Sequence, residues 1–256
     1  MRAQITCLIE GVYRIDDAGE STCYLVCGNE KAALIDTLNG AEDLHAIVKT
    51  LTDLPVTVIN THGHCDHIGG NMFFDRVWIH PADEALAMEH LGFLKEEMEA
   101  LGRTAAPFSF LQEGQVFSLG GVTLEVIPLY GHTAGSVGLL CREKRLLFTG
   151  DGMNPHIWMQ LEESLPLSAL RDSLTAVRRE KWDAFDYVLY GHARGGEMRD
   201  KKLLDQLLQG VEDVMAGRTA GDGLYTYFGT MTCMQHPYGD SADQVLVYQP
   251  GDKTAP

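Results

Sequence analysis

Thr61-His62-Gly63-His64-Cys65-Asp66-His67 packs three histidines and one aspartate into a single turn of chain. It follows Val56-Thr57-Val58-Ile59, a short β-branched run bounded by Pro55, which predicts a buried strand. The cluster therefore sits at the C-terminal end of that strand, where open α/β sheets place their ligand sites. Four ligand-type side chains on one turn converge by local geometry. Imidazole nitrogens suit zinc or iron, and a carboxylate adds charge. A loop that merely happens to be rich in histidine is the competing reading. Against it, three more ligand-type residues follow predicted strands: His132 in Gly131-His132-Thr133-Ala134-Gly135-Ser136, Asp151 in Phe148-Thr149-Gly150-Asp151, and His192 in Tyr190-Gly191-His192.

These motifs, in this order, resemble those of the metallo-β-lactamase-fold hydrolases. The first signature of that family, H-x-H-x-D-H, reads here as His62, His64, Asp66 and His67, followed by Gly69-Gly70. The resemblance covers residues 5–195. It implies an α/β fold, the four-layer αββα sandwich, with the site at the edge shared by two similar halves. It also implies two divalent metal ions, zinc first, with iron or manganese as alternatives. His62, His64 and His132 would hold one ion, Asp66, His67 and His192 the other, and Asp151 would bridge. Seven candidates exceed the four ligands of a closed structural zinc site. A metal pair about 3.5–4 Å apart lowers the pKa of a shared water towards about 7, giving hydroxide at neutral pH. Asp66 is the expected catalytic carboxylate, orienting that nucleophile or moving its proton. Asp36, at the end of an earlier strand, is expected to steady the histidine loop.

Two positions narrow the chemistry within the resemblance. Asp151 stands where β-lactamases carry cysteine or serine, and aspartate there is the pattern of thioesterases, lactonases, phosphodiesterases and nucleases. His64 stands where the diiron oxygen- or nitric-oxide-reducing relatives use glutamate. The stretch after Asp151, residues 152–160, contains no Lys or Arg, which departs from the glutathione-binding pattern of glyoxalase II. It offers His156, Trp158 and Met159 as substrate-binding candidates, beside Met153 and Ile157; the competing reading packs this stretch beneath the following helix. The expected function is metal-dependent hydrolysis of an ester, thioester or lactone. The alternatives are an iron-dependent oxidoreductase resembling the sulfur dioxygenases, a phosphodiesterase of the same fold, and a metal-binding module without catalysis.

Composition bounds the partners. The chain has 256 residues, 45% of them hydrophobic, enough for a large core and compatible with one domain over 1–256. A net charge of −16 opposes nucleic-acid binding and leaves a small-molecule substrate. Six scattered cysteines show no disulfide or zinc-ribbon framework, so a reducing cytoplasm is expected. The N-terminus lacks the apolar core of a signal peptide, and no apolar run approaches the roughly 20 residues of a membrane span.

Along the chain, strands are expected at 5–9, 11–15, 22–27, 32–35, 77–79, 115–119, 122–127, 137–141, 145–149 and 187–190. Gly120-Gly121 signals a hairpin. Helices are expected at 41–51, from 80 to 101 with a stop at Gly102, at 166–179 and at 199–216. The tail at 199–249, a helix and strands, is expected to complete the fold. Residues 103–113 read as a loop that covers a pocket or packs on a sheet edge. His80 and His90 lie outside the motifs and are expected to cap or to face solvent. There is also a weak internal echo: in each half a strand ends in aspartate, a helix follows, and the next strand ends in histidine.

Overall fold

The computed structural model describes residues 3–193 and 198–250; Met1, Arg2 and the tail's end at Pro256 lie outside them. Among the described residues the strands form three sheets. The first has seven strands in sequence order: β1 (Gln4–Ile9), β2 (Val12–Asp16), β3 (Thr22–Cys27), β4 (Ala32–Ile35), β5 (Val56–Ile59), β6 (Val77–Ile79) and β7 (Phe108–Phe110). The second contains β8 (Val116–Ser118), β9 (Thr123–Pro128), β10 (Val137–Cys141), β11 (Leu146–Gly150), β13 (Tyr187–Tyr190) and β14 (Arg199–Asp200). The third is formed by β12 (His156–Trp158), β17 (Val245–Tyr248), β16 (Met231–Pro237) and β15 (Gly223–Tyr227).

Three apolar clusters define the layers. One lies between the first two sheets and joins Val26, Ile35 and Ile59 to Val126, Leu139 and Phe148. A second covers the outer face of the first sheet with α1 (Leu44–Lys49), α2 (Cys65–Ile68), α3 (Glu84–Gly92) and α4 (Lys95–Ala100), through Leu44, Val48, Ile68, Leu91 and Met98. The third covers the outer face of the second sheet with α5 (Leu167–Lys181) and α6 (Lys202–Met215). On α5 the buried residues Leu167, Leu170, Leu174 and Val177 recur at helical spacing, and Arg178, Arg179 and Lys181 suit the negative end of its dipole. The αββα order follows directly, because β4 and β11 are apolar on both faces and need cover on both.

The expected echo is present in the topology. β4 runs parallel to β5 with Ile35 opposite Ile59, and β11 runs parallel to β13 with Gly150 opposite Tyr190. In both pairs the strand ends carry site residues.

Several local expectations are corrected. The single helix over 80–101 is a short 3₁₀ turn followed by α3 and α4. It breaks after Gly92, a poor helix former, where Phe93 and Leu94 donate to carbonyls three residues back. The segment 103–113 is an edge: β7 pairs with β6, and Leu111 enters the core between the sheets. Residues 199–200 are an edge strand, so α6 begins at Lys202. Gly120 and Gly121, with φ of +83° and +76°, make the tight hairpin turn. Of the third sheet, β15 and β17 are the strands expected in the tail; β12, three residues long, and β16, without clean alternation, were not expected.

Candidate metal centre

Each strand end delivers its ligands to one place. After β5, the backbone turns at His62 into α2, which presents His67 on its inner side. His62 and His67 are fully buried, and His64 nearly so. His62 Nε2 and His64 Nδ1 approach to 3.1 Å, and His132 Nε2 lies 3.0 Å from the same His64 nitrogen. Three nitrogens thus converge with no carboxylate among them. Beside them, Asp66 Oδ2 lies 3.6 Å from His67 Nε2 and 3.4 Å from His192 Nε2. Asp151 stands between the two groups. Its Oδ2 is 3.0 Å from His192 Nε2 and 3.8 Å from His132 Nε2, and its Oδ1 is 3.7 Å from His67 Nε2. All seven residues expected from the sequence are brought together.

The surroundings fix the rings. Asp36, almost fully buried, accepts from Thr61 N at 2.7 Å and Thr61 Oγ1 at 2.8 Å, and meets His67 Nδ1 at 2.9 Å. That leaves His67 Nε2 aimed into the cluster, buried, with no hydrogen-bond partner among the described residues. Such an orphaned nitrogen costs stability unless something occupies the space before it. A metal ion fits: the donor set is imidazole and carboxylate, and each trio of ligand atoms lies within 4.8 Å. His132 donates through Nδ1 to the Trp158 carbonyl at 2.7 Å. Gly191 has to be glycine, since a Cβ there would fall 2.3 Å from Asp151 Oδ1 and 2.5 Å from His67 Cε1.

The electrostatics separate the two groups. Burial, reinforced by the neighbouring histidines, holds His62 well below its ordinary value, and burial with His64 beside it takes His132 down to about 4. Burial opposes charge on His67 as well, but Asp66, Asp151 and Asp36 outweigh it and lift the ring to about 10. Desolvation likewise opposes charge on the partly buried His192, but its neighbours, Asp151 foremost, raise it to about 9. Burial alone would raise Asp66 and Asp151; the histidines beside them prevail and hold both carboxyls below the usual range.

The sequence missed three contributors. Asp83, in the short turn before α3, accepts from Gly63 N at 2.9 Å, Thr133 Oγ1 at 2.7 Å and Gly135 N at 2.6 Å, tying the two histidine loops together. Glu163 meets His64 Nε2 at 2.7 Å. His90, expected to cap or face solvent, stacks on His64 at 5.1 Å and accepts from Cys65 N; His80 does cap, accepting from Ala82 N. The contacts of Asp83, Glu163 and His90 are not local in sequence, so no spacing signals them.

The substrate candidates divide. Met159 is fully buried in the core beneath α5 and α6, as are Met153 and Ile157, so Met159 is a core residue and not a rim residue. It follows the end of β12, whose pleat turns Ile157 inwards and His156 and Trp158 the other way. His156 packs on Tyr225, and Trp158 on Tyr225, Tyr227 and Phe228.

The chain matches the metallo-beta-lactamase superfamily over residues 16–192. It is 34% identical over 146 residues to the hydroxyacylglutathione hydrolase GloC of Haemophilus influenzae, spanning 52% of this chain and 67% of that one. It is 30% identical over 165 residues to the acyl-coenzyme A thioesterase MBLAC2 of Homo sapiens, spanning 53% of this chain and 59% of that protein's length. A metallo-beta-lactamase from Pontibacter korlensis shares the fold, with a TM-score of 0.64 at 22% identity over 83% of this chain and all of that one. The chain belongs to the metallo-β-lactamase superfamily. No helix among the described residues is long and apolar enough to cross a membrane.

Proposed function

We propose that this chain is a metal-dependent hydrolase of acyl thioesters, working with two zinc ions. His62, His64 and His132 would hold one ion and Asp66, His67 and His192 the other, with Asp151 placed between the two groups. The observation that carries this reading is the meeting of the two trios at one carboxylate. Bound there, the metal pair supplies an activated water at neutral pH and polarises the substrate carbonyl. Asp66 is ionised at neutral pH. With Oδ2 turned to His67 and His192, its Oδ1 orients the attacking water and takes its proton.

The rim supports an acyl substrate. On the His132 side stands Trp158 with Phe228, which is 70% exposed; on the His64 side stands His90 with Phe93, which is 64% exposed. Trp158, Phe228 and Phe93 offer aromatic rings to an acyl chain, and residues 152–160 contain no Lys or Arg. Among ester, thioester and lactone, the similarity to a hydroxyacylglutathione hydrolase and an acyl-coenzyme A thioesterase supports thioester. A net charge of −16 supports a small-molecule substrate over a polyanion, and six free thiols support a reducing compartment such as the cytoplasm. The chain acts as one domain in this reading.

The test is a panel run on one metal-loaded preparation: acyl-coenzyme A and glutathione thioesters, lactones, a nitrophenyl ester, a cephalosporin and a bis-aryl phosphate, with oxygen uptake recorded alongside. Thioesters are expected to give the highest kcat/KM. Fastest turnover on the phosphate or the cephalosporin, or oxygen consumption in its place, overturns the reading. Elemental analysis is expected to find two ions per chain, and a single ion in metal-replete protein sinks the dinuclear centre.

A further inference from the structure

We propose that Glu163 is a positioning residue for the three-histidine metal position, fixing which nitrogen His64 offers. This rests on the ligand set just proposed. His64 differs from its two partners: it turns Nδ1 inwards, where His62 and His132 present Nε2. The outward Nε2 must then carry the ring proton, and Glu163 Oε1, 2.7 Å away, accepts it. A carboxylate bound to the far nitrogen of a ligating imidazole locks the tautomer and raises its basicity. The ring also cannot flip to exchange its nitrogens. His90 lies against its face at 5.1 Å with the planes 27° apart, and His90 is itself held by the amide of Cys65.

Glu163 is placed by backbone anchors. Its loop is pinned by Met159 N on the Val247 carbonyl and by Leu165 N on the Gly131 carbonyl, each at 2.8 Å. The second anchor joins the loop carrying Glu163 to the turn carrying His132, so one short segment adjusts two of the three histidines. A partly exposed ion pair of this kind adds little to fold stability. Its effect is expected on metal affinity.

The experiment is chelator competition with zinc on the full chain, comparing wild type with Glu163→Gln, Glu163→Ala and Glu162→Ala. Glu162 is exposed and adjacent, so its removal changes net charge by the same amount without touching His64. Wild type is expected to release two ions in separate steps. Glu163→Ala is expected to weaken one of them about 10–100-fold, the usual effect of removing such a partner, and to leave the other unchanged. Glu163→Gln, which keeps an acceptor, is expected to recover most of the loss, and Glu162→Ala to match wild type. With cobalt in place of zinc, Glu163→Ala should shift the visible absorption of one ion only. Equal affinities in wild type and Glu163→Ala, or an equal loss in Glu162→Ala, overturns the assignment. Failure of thioester hydrolysis with both ions bound would overturn the substrate reading and leave this one standing. A wild type that binds no ion would overturn both.

Discussion

Replacing Asp83 with alanine tests whether the two histidine loops are held by one buried carboxylate. Asp83 is 1% exposed and receives the amides of Gly63 and Gly135 and the hydroxyl of Thr133. In Asp83→Ala the Thr133 hydroxyl keeps Ser136 Oγ at 2.8 Å, but both amides lose their acceptor. A buried donor left without a partner costs about 1–3 kcal/mol. Against that stands the cost of burying the carboxylate, seen in a pKa that burial raises despite the three donors. The net loss is about 2–4 kcal/mol, or about 5–10 °C in Tm for a chain of this size. Asp83→Asn keeps one acceptor oxygen and should lose about half as much. Because the folded pKa is raised, ionising Asp83 disfavours the fold. The advantage of wild type over Asp83→Asn therefore narrows as pH rises through that pKa. Thermal unfolding of the metal-free proteins measures the loss, and elemental analysis shows whether the loosened loops still hold two ions. An Asp83→Ala protein within 2 °C of wild type, keeping both ions, would refute the role given to this carboxylate.

Asp66→Asn should lower kcat about 10²–10⁴-fold while the fold and both ions persist, and near-normal turnover would exclude Asp66 as the proton acceptor. Gly191→Ala should force Asp151 and His67 apart; circular dichroism should stay close to wild type while metal content falls. Metal binding should be asymmetric in protons. His62 and His132 are already neutral at pH 7.5, whereas His67 and His192 must each shed one, so the second ion releases about two protons and its affinity rises with pH towards 9–10. Calorimetry in buffers of different ionisation enthalpy reads that number, and zero release would contradict it. In the metal-free chain the charged His67 and His192 support the fold below their ordinary values, and that support is lost as pH rises through about 9 to 10.

What the sequence made legible was what neighbours in the chain encode. The β-branched run before His62, the paired glycines at 120–121 and the helical spacing of α5 each act within a few residues, and each appears where its pattern puts it. The expected ligands were legible for the same reason: each follows a strand end in a short glycine-bearing motif. Asp83 and Glu163 were not, because Asp83 reaches Thr133 and Gly135 about fifty positions on, and Glu163 reaches His64 across 99. Only the folded chain makes those pairs. Met159 shows the opposite error. Its apolar character suits a pocket wall and a core equally, and the pairing of β12 with β17 decided for the core.

The two halves use one topology for two purposes. In each, a strand ending in aspartate lies parallel to a strand leading to histidine, which sets a carboxylate beside an imidazole. In the first half the backbone at Asp36 takes a φ of +63° and turns the carboxylate to Thr61 and to His67 Nδ1, the nitrogen facing away from the cluster. That acid can only orient a ring. In the second half the φ of +49° falls on Gly150, one residue earlier, and Asp151 reaches His192 Nε2, the nitrogen facing inwards, with His132 and His67 in range. This acid can join the cluster itself. A one-residue offset in where the strand kinks therefore separates a carboxylate that holds a ligand from one that can serve as a ligand, and it leaves the site at the shared edge unequal: three imidazoles on one side, and acids with charged imidazoles on the other.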